Sequence, residues 1–125
     1  MANRYFNQFI LTQDKRQVLI SGIISLNSSA AVTGNNFNSL VASVTKSGTG
    51  EYTITLQDKY VELKSLNVTF EGTGDIVPRV KSTDVAGAKT LVVQTWDISS
   101  AAVANVSAAS KLHINIVLKD STVSK

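Results

Sequence analysis

His113 is the only histidine of the 125 residues, and it stands in the run "KLHINIVL". An imidazole can serve as a general base or a zinc ligand. The first role needs a nucleophile and an orienting group beside it. The second needs further strong ligands. The chain has no cysteine, which removes disulfides, thiolate metal sites and a thiol nucleophile. Nine carboxylates are dispersed along the chain and never form the dense Asp-x-Asp-x-Asp pattern of a calcium loop. A paired-carboxylate site would have to be assembled by folding, and no local pattern favours it. No Gly-x-Ser-x-Gly elbow occurs. These residues point away from an enzyme, and they call for no metal and no cofactor.

One glycine-rich stretch tests the phosphate-binding alternative. "KSGTGEYTITLQDKY" places Gly48 and Gly50 directly before alternating Tyr52, Ile54 and Leu56. A phosphate-gripping loop opens a helix, whose first N–H groups hold the anion. A strand follows here, so residues 46–50 read as a hairpin turn in which Gly48 and Gly50 supply positive φ.

The elements behind these residues are strands. Period-two alternation marks residues 18–26, 40–45, 52–57, 66–71, 91–96 and 112–118, all rich in β-branched side chains and separated by turn residues. Residues 4–12 read as a further strand. The segment around Pro78 reads as an edge strand, because proline cannot donate to a ladder in the middle of a sheet. The expected fold is all-β: an antiparallel β-sandwich or small jelly-roll-like barrel of seven or eight strands. Residues 1–125 read as a single β domain, with 1–12 an N-terminal arm or edge strand. In residues 18–26 both faces are largely apolar, which suits a strand buried on both sides or packed at an interface. Helix is confined to a candidate turn over residues 58–64, capped by Asp58. Residues 27–39 and 99–109 read as long connections, the kind that often touch partners.

Charge says which partners to discount. The net charge is +3, and the twelve basic residues are scattered, with only Lys15 and Arg16 adjacent. Nucleic-acid binding usually needs clustered cations interleaved with aromatics, so no specific nucleic-acid partner is expected. The most apolar run is far shorter than the ~20 residues a membrane helix needs, so no membrane partner is expected. No secretory signal is visible in "MANRYFNQF", and a soluble protein made in a cytoplasm is expected.

Aromatic residues are the candidate partner contacts. Tyr5, Phe6 and Phe9 fall within five residues near the N-terminus and need a core or a partner to cover them. Trp96, at the end of a strand, reads as core filling or as a platform that stacks on a sugar. The sugar reading expects Trp96 or Tyr52 exposed beside polar residues.

"ANRYFNQF", "ASVTKSGTGEYTITLQDKY" and "KLHINIVLKDSTV" stand in that order along most of the chain. They resemble small virion structural proteins of tailed bacteriophages. The resemblance implies a non-enzymatic capsid decoration (cement or auxiliary) protein, made in the host cytoplasm and carried on the capsid surface. Its implied partners are the major capsid protein and copies of itself, a homotrimer foremost. A phage fibre or host-recognition domain that holds a glycan is the alternative.

Overall fold

The computed structural model describes residues 17–37 and 39–119. The expected strand over residues 4–12, with Tyr5, Phe6 and Phe9, lies outside the described residues. Nine strands occur among the described residues. They are β1 (Gln17–Leu26), β2 (Val32–Asn35), β3 (Val41–Gly48), β4 (Glu51–Leu56), β5 (Glu62–Glu71), β6 (Ile76–Asp84), β7 (Thr90–Asp97), β8 (Ala102–Val103) and β9 (Ser110–Lys119).

The strands form a β-sandwich, all antiparallel. One sheet has the order β2-β1-β9-β5. The other has the order β3-β4-β7-β6, with β8 pairing β7. β2 and β8 were not among the expected strands; they form inside stretches that read as connections. The candidate helix over residues 58–64 is absent. Glu62 and Leu63 instead pair with Lys119 and Leu118 at the start of β5. Two backbone bonds lead the chain into that strand: Tyr60 N–H to Val85 O (3.0 Å) and Val61 N–H to Lys119 O (2.9 Å). Tertiary pairing overrides the weak helical preference of that segment.

The core lies between the sheets. Ile20, Ile24 and Leu26 of β1 meet Leu112, Ile114, Ile116 and Leu118 of β9 on one side of it. Tyr52, Ile54, Leu56, Leu91 and Val93 line the other. Every second residue of β4 and β9 is buried, as a half-covered antiparallel sheet requires. β1 is buried on one face only: Leu19 and Ile23 point away from the core, and Leu19 is 48% exposed. Gly22 leaves a gap on the inner face that Phe37 fills; a Cβ at Gly22 would stand 2.5 Å from Phe37 Cδ1.

β6 is an edge strand, as Pro78 predicts, and Pro78 sits opposite Thr95. The 46–50 segment is the β3–β4 hairpin. Only Gly50 takes positive φ (61°); Gly48 does not, so one glycine carries the turn.

Candidate docking face

The outer face of the β3-β4-β7-β6 sheet carries the residues that could engage a partner. Alternation sends Leu91, Val93 and Thr95 of β7 inward, which leaves Val92, Gln94 and Trp96 on the outside. Trp96 stands opposite Val77 of β6 on one side and Val103 of β8 on the other. Directly opposed residues share a face, so Val77, Trp96 and Val103 form one apolar row. Val77 is 43% exposed and Trp96 is half-buried. Arg79, two residues along β6 from Val77, places its guanidinium carbon 4.8 Å from the Trp96 ring centroid. Ile98, just beyond the end of β7, is 58% exposed.

A polar network adjoins that row. Glu51 and Gln94 are opposed across β4 and β7, and Gln94 faces Arg79 across β6. The Glu51 carboxylate accepts from Lys81 Nζ at 2.9 Å, from Gln94 Nε2 at 3.1 Å and from Ser47 Oγ at 3.4 Å. Thr53 Oγ1 donates to Ser47 Oγ at 2.9 Å. The Lys81 and Gln94 hydrogen bonds hold the Glu51 carboxyl below its ordinary value.

The loops beneath this face are pinned. Gly50 N–H donates to Asn105 Oδ1 (2.8 Å), and Thr95 N–H donates to Gly50 O (2.8 Å). Thr95, fully buried, donates its hydroxyl to Ala104 O (2.6 Å), and Ala104 N–H returns to Thr95 O (3.0 Å). The 99–109 connection, expected to be a long loop, is thus tied to the β3–β4 hairpin. That tie holds Val103 beside Trp96. On Asp97, the Ser99 hydroxyl (2.7 Å) and backbone N–H (2.9 Å) lower the carboxyl's pKa.

The other sequence candidates lie elsewhere. Tyr52 is fully buried and donates its hydroxyl to Ala30 O at 2.7 Å, so it is not available to stack on a sugar. Burial pushes its phenol up to about 12. Trp96 is neither core filling nor an open platform: it is on the outer face, with Arg79 over one side of its ring. His113 lies on the outer face of the other sheet, between Ile23 and Thr69. Its Nε2 is 2.6 Å from Glu71 Oε1, and this contact holds the Glu71 carboxyl below its ordinary value, with Lys111 adding to the effect. Among the described residues no group of three or more His, Asp or Glu side chains is placed to hold a metal ion.

The sequence singled out Trp96 but not its neighbours. Val77, Arg79 and Val103 come from other strands, and only the pairing register brings them to it. Comparison with protein-family models, with curated proteins and with solved structures gives no match.

Proposed function

We propose that this chain is a non-enzymatic structural component of a tailed-phage virion, a decoration protein. It is made in the host cytoplasm, seats on the major capsid protein at the capsid surface and stabilises the shell. One observation carries this reading: the outward row Val77–Trp96–Val103 with Arg79 against the ring. Trp and Arg are the residue types most enriched where proteins bind proteins, and an apolar centre rimmed by a polar network is the usual anatomy of such a contact. The Glu51 network supplies that rim. The resemblance of three sequence stretches, in order, to small virion proteins is what suggests the partner. A sugar platform suits this face less well, because Arg79 already occupies one side of the indole.

The test is co-sedimentation of the purified chain with shells of the major capsid protein from the same phage. Saturable binding is expected, with loss of binding in Val77→Asp and Arg79→Glu chains that keep their circular dichroism. Light scattering on the free 13.4 kDa chain reads its assembly state, and the mass of three copies is expected. A chain that ignores shells but is retained on immobilised glycans, and released by Trp96→Ala, would assign it to a fibre or host-recognition domain instead.

A further inference from the structure

The carboxylates in the strands of the β3-β4-β7-β6 sheet are already held by donors of their own. Glu51, at the start of β4, accepts from Lys81, Gln94 and Ser47. Lys81 is the extra residue where β6 slips against β7 between Val80 and Ser82. Such a bulge re-aims a side chain, and here Lys81 reaches across β7 to Glu51 at 2.9 Å. Asp84, at the end of β6, accepts from the N–H groups of Gly87 and Ala88, both at 3.0 Å. Asp97, at the end of β7, accepts from the hydroxyl and N–H of Ser99. Lys81 and Glu51 cancel each other, which leaves the charge of Arg79 beside the apolar row.

Arg79 is held by a ring and not by a carboxylate. Its guanidinium carbon lies 4.8 Å from the Trp96 centroid. That attraction uses the cation's charge against the π-face. The N–H fork of a guanidinium matches the two oxygens of a carboxylate, and the ring positions this one before a partner arrives. Less side-chain freedom is then lost on binding. Val77 stands two residues before Arg79 on the same outward face, about 6.6 Å along the strand. Val77 is 43% exposed, so an apolar surface and a positioned cation lie side by side.

We propose that the protein segment received by this face brings a carboxylate to Arg79 and an apolar side chain to Val77 and the edge of Trp96. This contact rests on the reading of the face as a protein interface and names what the partner contributes. An acidic and an apolar residue two apart in an extended chain have the spacing of Arg79 and Val77. The carboxylate neutralises the charge that Glu51, Asp84 and Asp97 leave uncompensated. The apolar residue continues the row Val77–Trp96–Val103. A lysine in place of the acid would stand against Arg79 and be rejected, so the pair also selects among partners.

The probes are two tripeptides, acetyl-Val-Ala-Asp-amide and its Asn counterpart, each titrated into the full chain. The indole N–H of Trp96, the only tryptophan, is followed by NMR. The Asp peptide should shift it saturably and bind at least ~5-fold more tightly than the Asn peptide. Arg79→Lys keeps the charge but loses the fork, and should cut that preference below ~2-fold with the circular dichroism unchanged. Added salt should shrink the preference in the parent. Equal affinity for the two peptides, or no response to either, would overturn the proposal. Tighter binding of glucuronate than of the Asp peptide would place the carboxylate on a sugar and overturn it as well. A chain that prefers the Asp peptide but ignores capsid shells keeps the carboxylate contact and loses the virion reading. A chain that binds shells and treats both peptides alike does the reverse.

Discussion

The guanidinium carbon of Arg79 lies 4.8 Å from the ring centroid of Trp96, on the outer face of the β3-β4-β7-β6 sheet. A cation over an indole at this range contributes about 0.5–1 kcal/mol at exposed sites. It also covers apolar ring surface with the arginine stem. Arg79→Ala should therefore lower stability by no more than ~1 kcal/mol while opening the ring to water. Trp96 is the only tryptophan, so its emission reports this directly. A red shift and easier quenching by iodide are expected. Unchanged emission would mean that the pair does not persist in solution.

Gly50 and Gly48 flank the same hairpin but should respond differently to a methyl group. Gly50 has φ 61°, and a Cβ there would stand 2.5 Å from the Ala104 carbonyl oxygen, a backbone atom held by Thr95. A left-handed conformation costs an L-residue about 1–2 kcal/mol before any clash is counted. At Gly48 the added carbon meets only Glu51 Cβ, at an ordinary 3.8 Å. Urea midpoints should show Gly50→Ala destabilised by about 2 kcal/mol or more and Gly48→Ala within ~0.5 kcal/mol of the parent. Equal effects would argue against the assigned turn geometry.

The strands with strong alternation were legible because burial on one face leaves a period of two in the residues themselves. Tyr52-Ile54-Leu56 and Leu112-Ile114-Ile116-Leu118 are such runs. β2 and β8 were not. Val32–Asn35 and Ala102–Val103 carry no pattern of their own and become strands because β1 and β7 offer them partners. The candidate helix over residues 58–64 fails for the same reason: its helical preference is small, and pairing of Glu62 and Leu63 with β9 decides the outcome. Lys64 of β5 and Lys81 of β6 are each an extra residue where the pairing register slips, yet they look like any surface lysine in the sequence. Their meaning lies in register, which is set between strands. Trp96 was legible as an aromatic that needs an explanation, but the row it forms with Val77 and Val103 depends on contacts no local window contains.

Tyr52 links β4 to the turn that follows β1. Its hydroxyl donates to Ala30 O, and Ala30 is itself fully buried with φ 64°. Removing the hydroxyl leaves that carbonyl without its donor, which costs about 1–3 kcal/mol for a buried group. Tyr52→Phe should lose stability in that range by urea unfolding. The phenol, pushed up to about 12 by burial, holds its proton more tightly folded than unfolded. Its contribution is therefore whole below the ordinary value of 10.0 and is lost as pH rises towards 12. Ultraviolet titration should show Tyr52 ionising late, a signal that Tyr52→Phe removes, and the fold weakening across that window. If Tyr52 ionises near 10 with the protein still folded, it is not buried as described.

Glu51 sets the opposite pH dependence. The Lys81 and Gln94 hydrogen bonds lower its folded pKa from the ordinary 4.5. As pH falls through 4.5 the unfolded chain takes up this proton first, so the stability Glu51 contributes is present above that value. It is lost as pH falls through the lowered folded pKa. Glu51→Gln keeps the shape and removes the charge, so its melting temperature should fall less steeply between pH 5 and 3 than that of the parent. Lys81→Met should flatten the same limb, and the double variant should add little to either single one, since both act through one contact. Salt should shrink the difference, because the Lys81–Glu51 bridge is solvent-accessible. Parallel acid limbs for the parent and Glu51→Gln would show that the network on this outer face contributes nothing to folding.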